Sequence, residues 1–216
     1  MAAKTTIIGA ENSYFNHILF ELREEKIQTD RMRFRFNLER AGEIMAYEIS
    51  KLFPYSSKHV TTPLGELEMN LLDKQPVLVS ILRAGVPFHQ GFLRIFDHSD
   101  NGFISAYRHH THGNEFIVKV EYTAIPDVND RPLILVDPMI ATGKSIVLSY
   151  REIANIYKPS HIIIAGLVAS EEGVDYVKRH IPQAYIFAGA VDHELTAKSY
   201  IVPGLGDAGD LAYGPK

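Results

Sequence analysis

The residues with the clearest chemical promise lie at 132–145, in the run PLILVDPMIATGKS. An apolar stretch ends at Asp137, a short loop follows, and Thr142-Gly143 opens what reads as a helix. A helix N-terminus carries unpaired N–H groups and a partial positive charge, which together suit a phosphate. Gly143 lets the backbone come close to such a ligand, and Thr142 and Ser145 add hydroxyl donors. Ligands of open α/β sheets bind just past the carboxyl ends of the strands, where this loop would fall. The run Gly143-Lys144-Ser145 ends like a Walker A loop, but that motif needs a first glycine where Pro138 stands. A plain strand-to-helix turn capped at Thr142 accounts for the same residues if no ligand binds.

Other chemistries are narrowed by what the chain contains. It has no cysteine, which removes thiol catalysis and thiolate metal sites. Ten histidines invite a metal reading, above all His109-His110-Thr111-His112. With no cysteine beside them and a polar setting, they suit an arm over the site better than a zinc centre, with residues 116–122 (FIVKVEY) as its alternating strand.

These groups must be held by a scaffold, and the apolar runs say which kind. Residues 76–82, 132–136, 161–168 (HIIIAGLV) and 184–190 (AYIFAGA) are continuous and rich in β-branched side chains, with 102–107 (GFISAY) a weaker fifth. Such runs suit strands buried on both faces of a parallel sheet. Between them, Ile146, Val147, Tyr150, Ile153, Ala154 and Tyr157 recur with helical spacing, and Lys158-Pro159 closes that segment. Residues 171–179 read as a shorter helix, and 20–51 as a long, charged, mostly helical stretch. Strands alternating with helices predict an α/β fold, doubly wound, with a mainly parallel sheet flanked by helices. No repeat or low-complexity linker divides the chain, so a single domain over 1–216 is expected.

Size and charge agree. A chain of 24.3 kDa buries about 70% of its unfolded surface on folding and leaves about 10,000 Å² exposed. The hydrophobic content of 46% supplies that core without staples. The first residues do not form a signal peptide, because Glu11, Asn12 and Ser13 cut the apolar run, and no stretch is long enough to cross a bilayer. A cytoplasmic protein with no membrane partner is expected. A net charge of −4 argues against a nucleic-acid surface but leaves room for a small anion held by local cations and amides.

The loop Asp137-Pro138-Met139-Ile140-Ala141-Thr142-Gly143-Lys144-Ser145 resembles the ribose-phosphate loop of the type I phosphoribosyltransferases. The likeness is closest to their uracil branch, whose loop reads Asp-Pro-Met-Leu-Ala-Thr-Gly-Gly-Ser. Most other branches carry two acids where Asp137-Pro138 stands. Ile81-Leu82-Arg83-Ala84-Gly85 resembles the family's pyrophosphate loop, and Tyr107-Arg108 its second arginine site, just after a strand. Residues 200–210, YIVPGLGDAGD, resemble its uracil-recognition loop almost letter for letter, and 22–25 through 47–48 follow its leading helices. The likeness spans nearly the whole chain.

The resemblance implies a fold with a small hood, built from the N-terminal helices and the C-terminal loop, and a flexible β-arm. It implies transfer of ribose 5-phosphate from phosphoribosyl pyrophosphate (PRPP) to N1 of uracil, giving UMP and pyrophosphate in pyrimidine salvage. Arg83 and Arg108 would stabilise the departing pyrophosphate, since a guanidinium fork suits phosphate oxygens. Asp137 would accept the ribose hydroxyls, and Pro138, Met139, Ile140, Ala141, Thr142, Gly143, Lys144 and Ser145 would surround the sugar phosphate. Ile201, Gly206, Asp207 and Ala208 would form the uracil site. Asp207 would also face PRPP as a catalytic residue beside Arg83, Arg108 and Asp137, and Mg²⁺ would arrive on PRPP, with Asp207 touching it through water. A homodimer, or a larger homo-oligomer, is implied as well.

Three departures from the family pattern stand out. Lys144 replaces a glycine of the phosphate loop, and 192–199 (DHELTAKS) lacks the Asn-Glu and Gly usual before the tyrosine. Glu171-Glu172-Gly173 stands where Pro-Glu-Gly is usual. The first two bear on efficiency or base choice more than on fold.

Overall fold

A computed structural model describes the backbone of residues 4–110 and 116–215, and the side chains among them outside 106–120. Strand β1 (Lys4–Ile7) leads to helices α1 (Tyr14–Arg23), α2 (Glu25–Gln28) and α3 (Arg31–Ser50), then to the hairpin β2 (Tyr55–Thr62) and β3 (Gly65–Leu72). The sheet region follows as β4 (Val77–Leu82), α4 (Gly85–Ile95), β5 (Asp100–His110), β6 (Phe116–Ala124), β7 (Pro132–Val136) and β8 (Met139–Ile140). It continues with α5 (Lys144–Ala154), β9 (His161–Ser170), α6 (Glu171–His180) and β10 (Tyr185–Asp192). The chain closes on β11 (Glu194–Leu195), β12 (Ile201–Val202) and α7 (Ala208–Tyr213).

Strand order in the main sheet is β1-β10-β9-β7-β4-β5-β6, with β8 beside β9. Every neighbouring pair is parallel except β5–β6. The expected α/β class and mainly parallel sheet are what is found. Successive residues of the strands feed opposite cores, as a period of two requires. On β7, Ile134 and Val136 join α1, α3 and α4 in one apolar cluster. Leu133 and Leu135 join α5 and α6 in the other.

Local signals explain the helices. Ser13 caps α1 and Asn16 reaches back to it, a reciprocal box. Asp30 caps α3 by accepting from the N–H groups of Met32 and Arg33. In α6, Glu171 and Glu172 occupy the first turn and Lys178, Arg179 and His180 the last, matching the helix dipole.

Differences from the sequence reading have local causes. The stretch expected to be mostly helical over 20–51 is so, as three helices of which the first begins earlier, at Tyr14, and which are divided where Glu24 and Asp30 take extended backbone. The helix expected to run to Tyr157 stops at Ala154 in a tightened turn, where Ile156 donates back to Ile153 at 3.0 Å. Strand β5 extends through Arg108 to His110 rather than ending before Arg108. The expected arm strand is present as β6, paired antiparallel to β5. Thr111 and His112 of the histidine run lie outside the described residues, as do the side chains of Arg108, His109 and His110.

Candidate functional site

The order of the strands makes a crevice before any side chain is considered. From β4 the chain moves outward to β5, whereas from β7 it moves the other way, to β9 and β10. Right-handed crossovers in opposite directions put α4 and α5 on opposite faces, so the loops after β4 and β7 splay apart at their carboxyl ends. Ser80 of β4 is in register with Val136 of β7, which sets the loops bearing Arg83 and Asp137 side by side.

The loop after β7 is clamped along its length. The Asp137 N–H donates to the Ala165 carbonyl at 3.1 Å, and the Pro138 carbonyl accepts from Leu167 and Val168. Met139 and Ile140 form β8 against Val168 and Ala169. Asp137, half-buried, accepts from the Met139 N–H at 3.2 Å. Beyond it the Ala141 carbonyl accepts from the Ser170 hydroxyl at 2.5 Å, and the same hydroxyl accepts from the Gly173 N–H at 2.9 Å.

Gly143 then turns the chain at φ 72°, a left-handed conformation that favours glycine, and caps α5 with no side-chain hydrogen bond of its own. The helix therefore begins at Lys144, one residue later than Gly143. The Lys144 N–H donates to the Thr142 hydroxyl at 3.4 Å. The half-buried Thr142 and Ser145 flank the exposed Lys144 at this helix start.

Arg83 follows β4 through a cis Leu82–Arg83 peptide bond. Its guanidinium reaches the C-terminal segment, donating to Asp210 Oδ1 at 2.8 Å and to the Gly214 carbonyl at 3.4 Å. Arg35 of α3 donates to the Ala212 carbonyl at 2.7 Å. Burial pushes the Tyr213 hydroxyl up, while the nearby Arg35 and Arg83 charges pull it down. Asp207 caps α7, accepting from the N–H groups of Gly209 at 2.9 Å and Asp210 at 3.0 Å. A side chain added at Gly209 would lie 3.2 Å from Asp207 Oδ1 and 3.4 Å from an Arg83 nitrogen, so these two groups are near neighbours.

The C-terminal loop also joins the core under the loop that follows β7. Ile201, Leu205 and Ala208 are buried in the same apolar cluster as Ala141 and Val168. Gly206 and Asp207 are exposed, and Gly206 has φ 92°. The fold thus gathers Asp137, Pro138, Met139, Ile140, Ala141, Thr142, Gly143, Lys144 and Ser145 on one loop, Arg83 beside it, and Ile201 to Ala208 on a third segment. Arg108 shares the sheet edge through its backbone, in register with Val118.

Several contacts were not singled out from the sequence. Ser170 ahead of two glutamates is a readable helix-start signal, but its bond to Ala141 is not. Asp210 and Arg35 carry no local signal for meeting Arg83 and Ala212. Among the described residues, no three His, Asp or Glu side chains form a metal-sized cluster.

A family model described as uracil phosphoribosyltransferase matches residues 10–215. A protein of that name from Porphyromonas gingivalis is 50% identical over 210 residues, covering 97% of this chain and 97% of the relative. One from Thermococcus gammatolerans is 37% identical, covering 94% and 91%. A solved structure of a protein from Aquifex aeolicus superposes with a TM-score of 0.88 at 28% identity, covering 97% and 98% of the two chains.

Proposed function

Since this chain belongs to the uracil phosphoribosyltransferase family, we propose that the three segments at the sheet edge divide the work of one reaction. It is a transferase that makes UMP and pyrophosphate from uracil and PRPP, in pyrimidine salvage. The C1–O bond of PRPP breaks with its electron pair on pyrophosphate, N1 of uracil bonds to C1, and the N1 proton is released. In this reading the whole chain, 1–216, acts as one domain, with the N-terminal helices and the C-terminal loop as its hood.

Charge grows on pyrophosphate as it leaves, so Arg83 and Arg108 are the groups that stabilise it. Asp137 accepts the ribose hydroxyls and favours the cationic sugar of the transition state. The N–H groups at the start of α5, with Thr142 and Ser145, hold the 5-phosphate, and Lys144 stands beside it. Ile201, Gly206, Asp207 and Ala208 recognise uracil, whose O4 accepts and whose N3–H donates. Backbone groups do this rigidly where glycine allows close approach.

A magnesium ion fits this arrangement only as a passenger on PRPP. Asp207 is exposed, and its two described hydrogen bonds both fall on Oδ1, which leaves Oδ2 to accept from an ion's water shell. The ion, when bound, neutralises part of the pyrophosphate charge. We place the protein in the cytoplasm, because PRPP is too highly charged to cross a membrane unaided. No helix among the described residues is long and apolar enough to do so either.

A homodimer, or a larger assembly of the same chain, completes the reading. Among the described residues, the β2–β3 hairpin pairs only with itself. It leaves Leu64 fully exposed, and Tyr55, Leu67, Met69 and Leu71 more than two-fifths exposed. Isolated hairpins are marginal in water, so this one gains from a partner surface. The total exposed area of 11554 Å² also exceeds the about 10,000 Å² of a compact monomer of this mass.

The observation that carries the role assignment is the meeting of Arg83 with the segment headed by Asp207, beside the clamped phosphate loop. A steady-state assay with uracil, PRPP and Mg²⁺, run in parallel with cytosine, hypoxanthine and orotate, tests it. UMP formed from uracil alone is the expected result. Turnover of another base would overturn the assignment of 201–208, and saturable PRPP binding without product would turn the site into a regulatory one.

A further inference from the structure

The loop between β12 and α7 is gripped at its centre by an ion pair from outside the substrate segments. Asp192 is the last residue of β10 and is only 8% exposed. Arg23 is the last residue of α1. Arg23 Nη1 donates to Asp192 Oδ2 at 2.8 Å and Nη2 donates to Oδ1 at 2.9 Å, a two-pronged pair. The same Nη1 also donates to the Gly204 carbonyl at 2.8 Å, and the Gly204 N–H donates to Asp192 Oδ2 at 2.9 Å. Both backbone polar groups of Gly204 are therefore satisfied by this one pair.

Gly204 is where the loop must turn. It has φ 57°, and a side chain there would lie 2.2 Å from the Ile201 carbonyl. On either side, Ile201 and Leu205 are buried, while Gly206 and Asp207 are exposed. The remaining backbone anchors of this segment are short: β11 and β12 match only Glu194 with Val202 and Leu195 with Ile201. A buried carboxylate needs a cation and full hydrogen bonding to be tolerated, and a planar fork supplies both where an ammonium supplies a point charge. The planar guanidinium also fixes direction, because three of its bonds must hold at once.

We propose that Arg23 and Asp192 are positioning residues for base recognition, setting the height and turn of the loop that carries Gly206, Asp207 and Ala208. This rests on the reading of 201–208 as the uracil site. Neither side chain is assigned to a substrate. The pair locks an N-terminal helix to a C-terminal loop across the end of β10, so the base site is held from both ends of the chain. The 5-phosphate end of PRPP is held by a different loop, clamped by Ser170 and α6. The 201–208 loop reaches PRPP only through Asp207 and the water shell of its ion, so uracil should respond more strongly than PRPP when the pair is broken.

Steady-state kinetics on the full chain, varying each substrate in turn, tests the idea with Asp192→Ala, Asp192→Asn and Arg23→Lys. A displacement of about 1 Å in a substrate-holding loop costs up to about 100-fold. Asp192→Ala is therefore expected to raise KM for uracil at least about tenfold, with KM for PRPP within about twofold of the parent. Asp192→Asn should recover part of the loss, since its amide oxygen still accepts from Gly204. Arg23→Lys should recover less, because a single ammonium nitrogen lacks the planar fork whose two nitrogens face both carboxylate oxygens and the Gly204 carbonyl at once.

If Asp192→Ala does not fold, the two conservative variants carry the same comparison. Unchanged KM for uracil, with kcat reduced only in proportion to the folded fraction, would reduce the pair to a structural brace and overturn the proposal. Equal rises in both KM values would overturn it too. Absence of uracil turnover in the parent protein would overturn the underlying reading of the loop along with the proposal, and is separable from both.

Discussion

Gly173→Ala is a one-carbon test of how tightly the proposed phosphate loop is held. Gly173 lies in the first turn of α6, where alanine is intrinsically favoured over glycine by about 1 kcal/mol. Propensity alone therefore predicts a slightly stabler protein. Packing predicts the reverse. The added carbon would sit 2.2 Å from the Ala141 carbonyl oxygen and 2.6 Å from that of Ile140, both backbone atoms of the loop. To open the tighter contact even to 3.0 Å, α6 or the loop must move by about 0.8 Å. The Ala141 carbonyl cannot yield freely, because the Ser170 hydroxyl holds it at 2.5 Å. Nor can α6 simply lift away, since the Gly173 N–H is bound to that same hydroxyl. A displacement approaching 1 Å in a substrate-holding group costs about 100-fold in rate, or about 2.7 kcal/mol of transition-state stabilisation. Overpacking of this kind also lowers stability by about 1–3 kcal/mol, more than the propensity gain. The expected outcome is a kcat/KM for PRPP about 100-fold lower, with a lower Tm and saturation by PRPP pushed to higher concentration. A variant with unchanged PRPP kinetics and a higher Tm would refute the reasoning: either the loop accommodates the carbon or it does not hold the phosphate.

Three further changes probe the remaining parts. Asp207→Asn should lower kcat strongly while far-ultraviolet circular dichroism stays unchanged, because asparagine caps a helix about as well as aspartate; unaltered kcat would remove Asp207 from the site. Lys144→Gly restores the residue usual in the family and should leave kcat/KM for PRPP equal or higher; a collapse would show that the lysine holds the 5-phosphate. Glu21 is held below the ordinary carboxylate range chiefly by hydrogen bonds from Arg33, with Asn37 adding to them. A group whose acidity is raised by folding stabilises the protein fully above its unfolded pKa and loses that contribution as the pH falls through its folded value. Thermal melts of Glu21→Gln should therefore lie furthest below the parent near neutral pH, and the gap should close as the pH drops below about 4. A gap independent of pH would mean that the carboxylate charge contributes nothing.

Which parts of this protein could be read from the chain depended on how locally each was encoded. The strands β4, β7, β9 and β10 were legible because burial on both faces demands unbroken apolar runs, and few other structures tolerate them. Helix α5 showed its stripe, and α6 was legible as a shorter helix over 171–179. Helix α4 was not anticipated, since Gly85, Pro87 and Gly91 obscure its period. The β2–β3 hairpin was missed as well, since it buries almost nothing and its side chains obey no inside–outside pattern. The exact start of α5 was a backbone matter: Gly143 turns left-handed, so the helix opens after it rather than with it.

Local chemistry alone determined that a phosphate-sized anion suits the Asp137 loop, because a strand end, a glycine and a helix start are consecutive in the chain. The sequence also determined the family, through the motifs at 81–85, 137–145 and 200–210. Which groups meet was decided by the tertiary structure. Arg83 reaches Asp210 across 127 residues, and Arg23 reaches Asp192 across 169. No periodicity records such pairs, because each partner satisfies its own local structure whether or not the other is near. They come together only when the sheet reverses direction between β4 and β7 and the two ends of the chain close over the same edge.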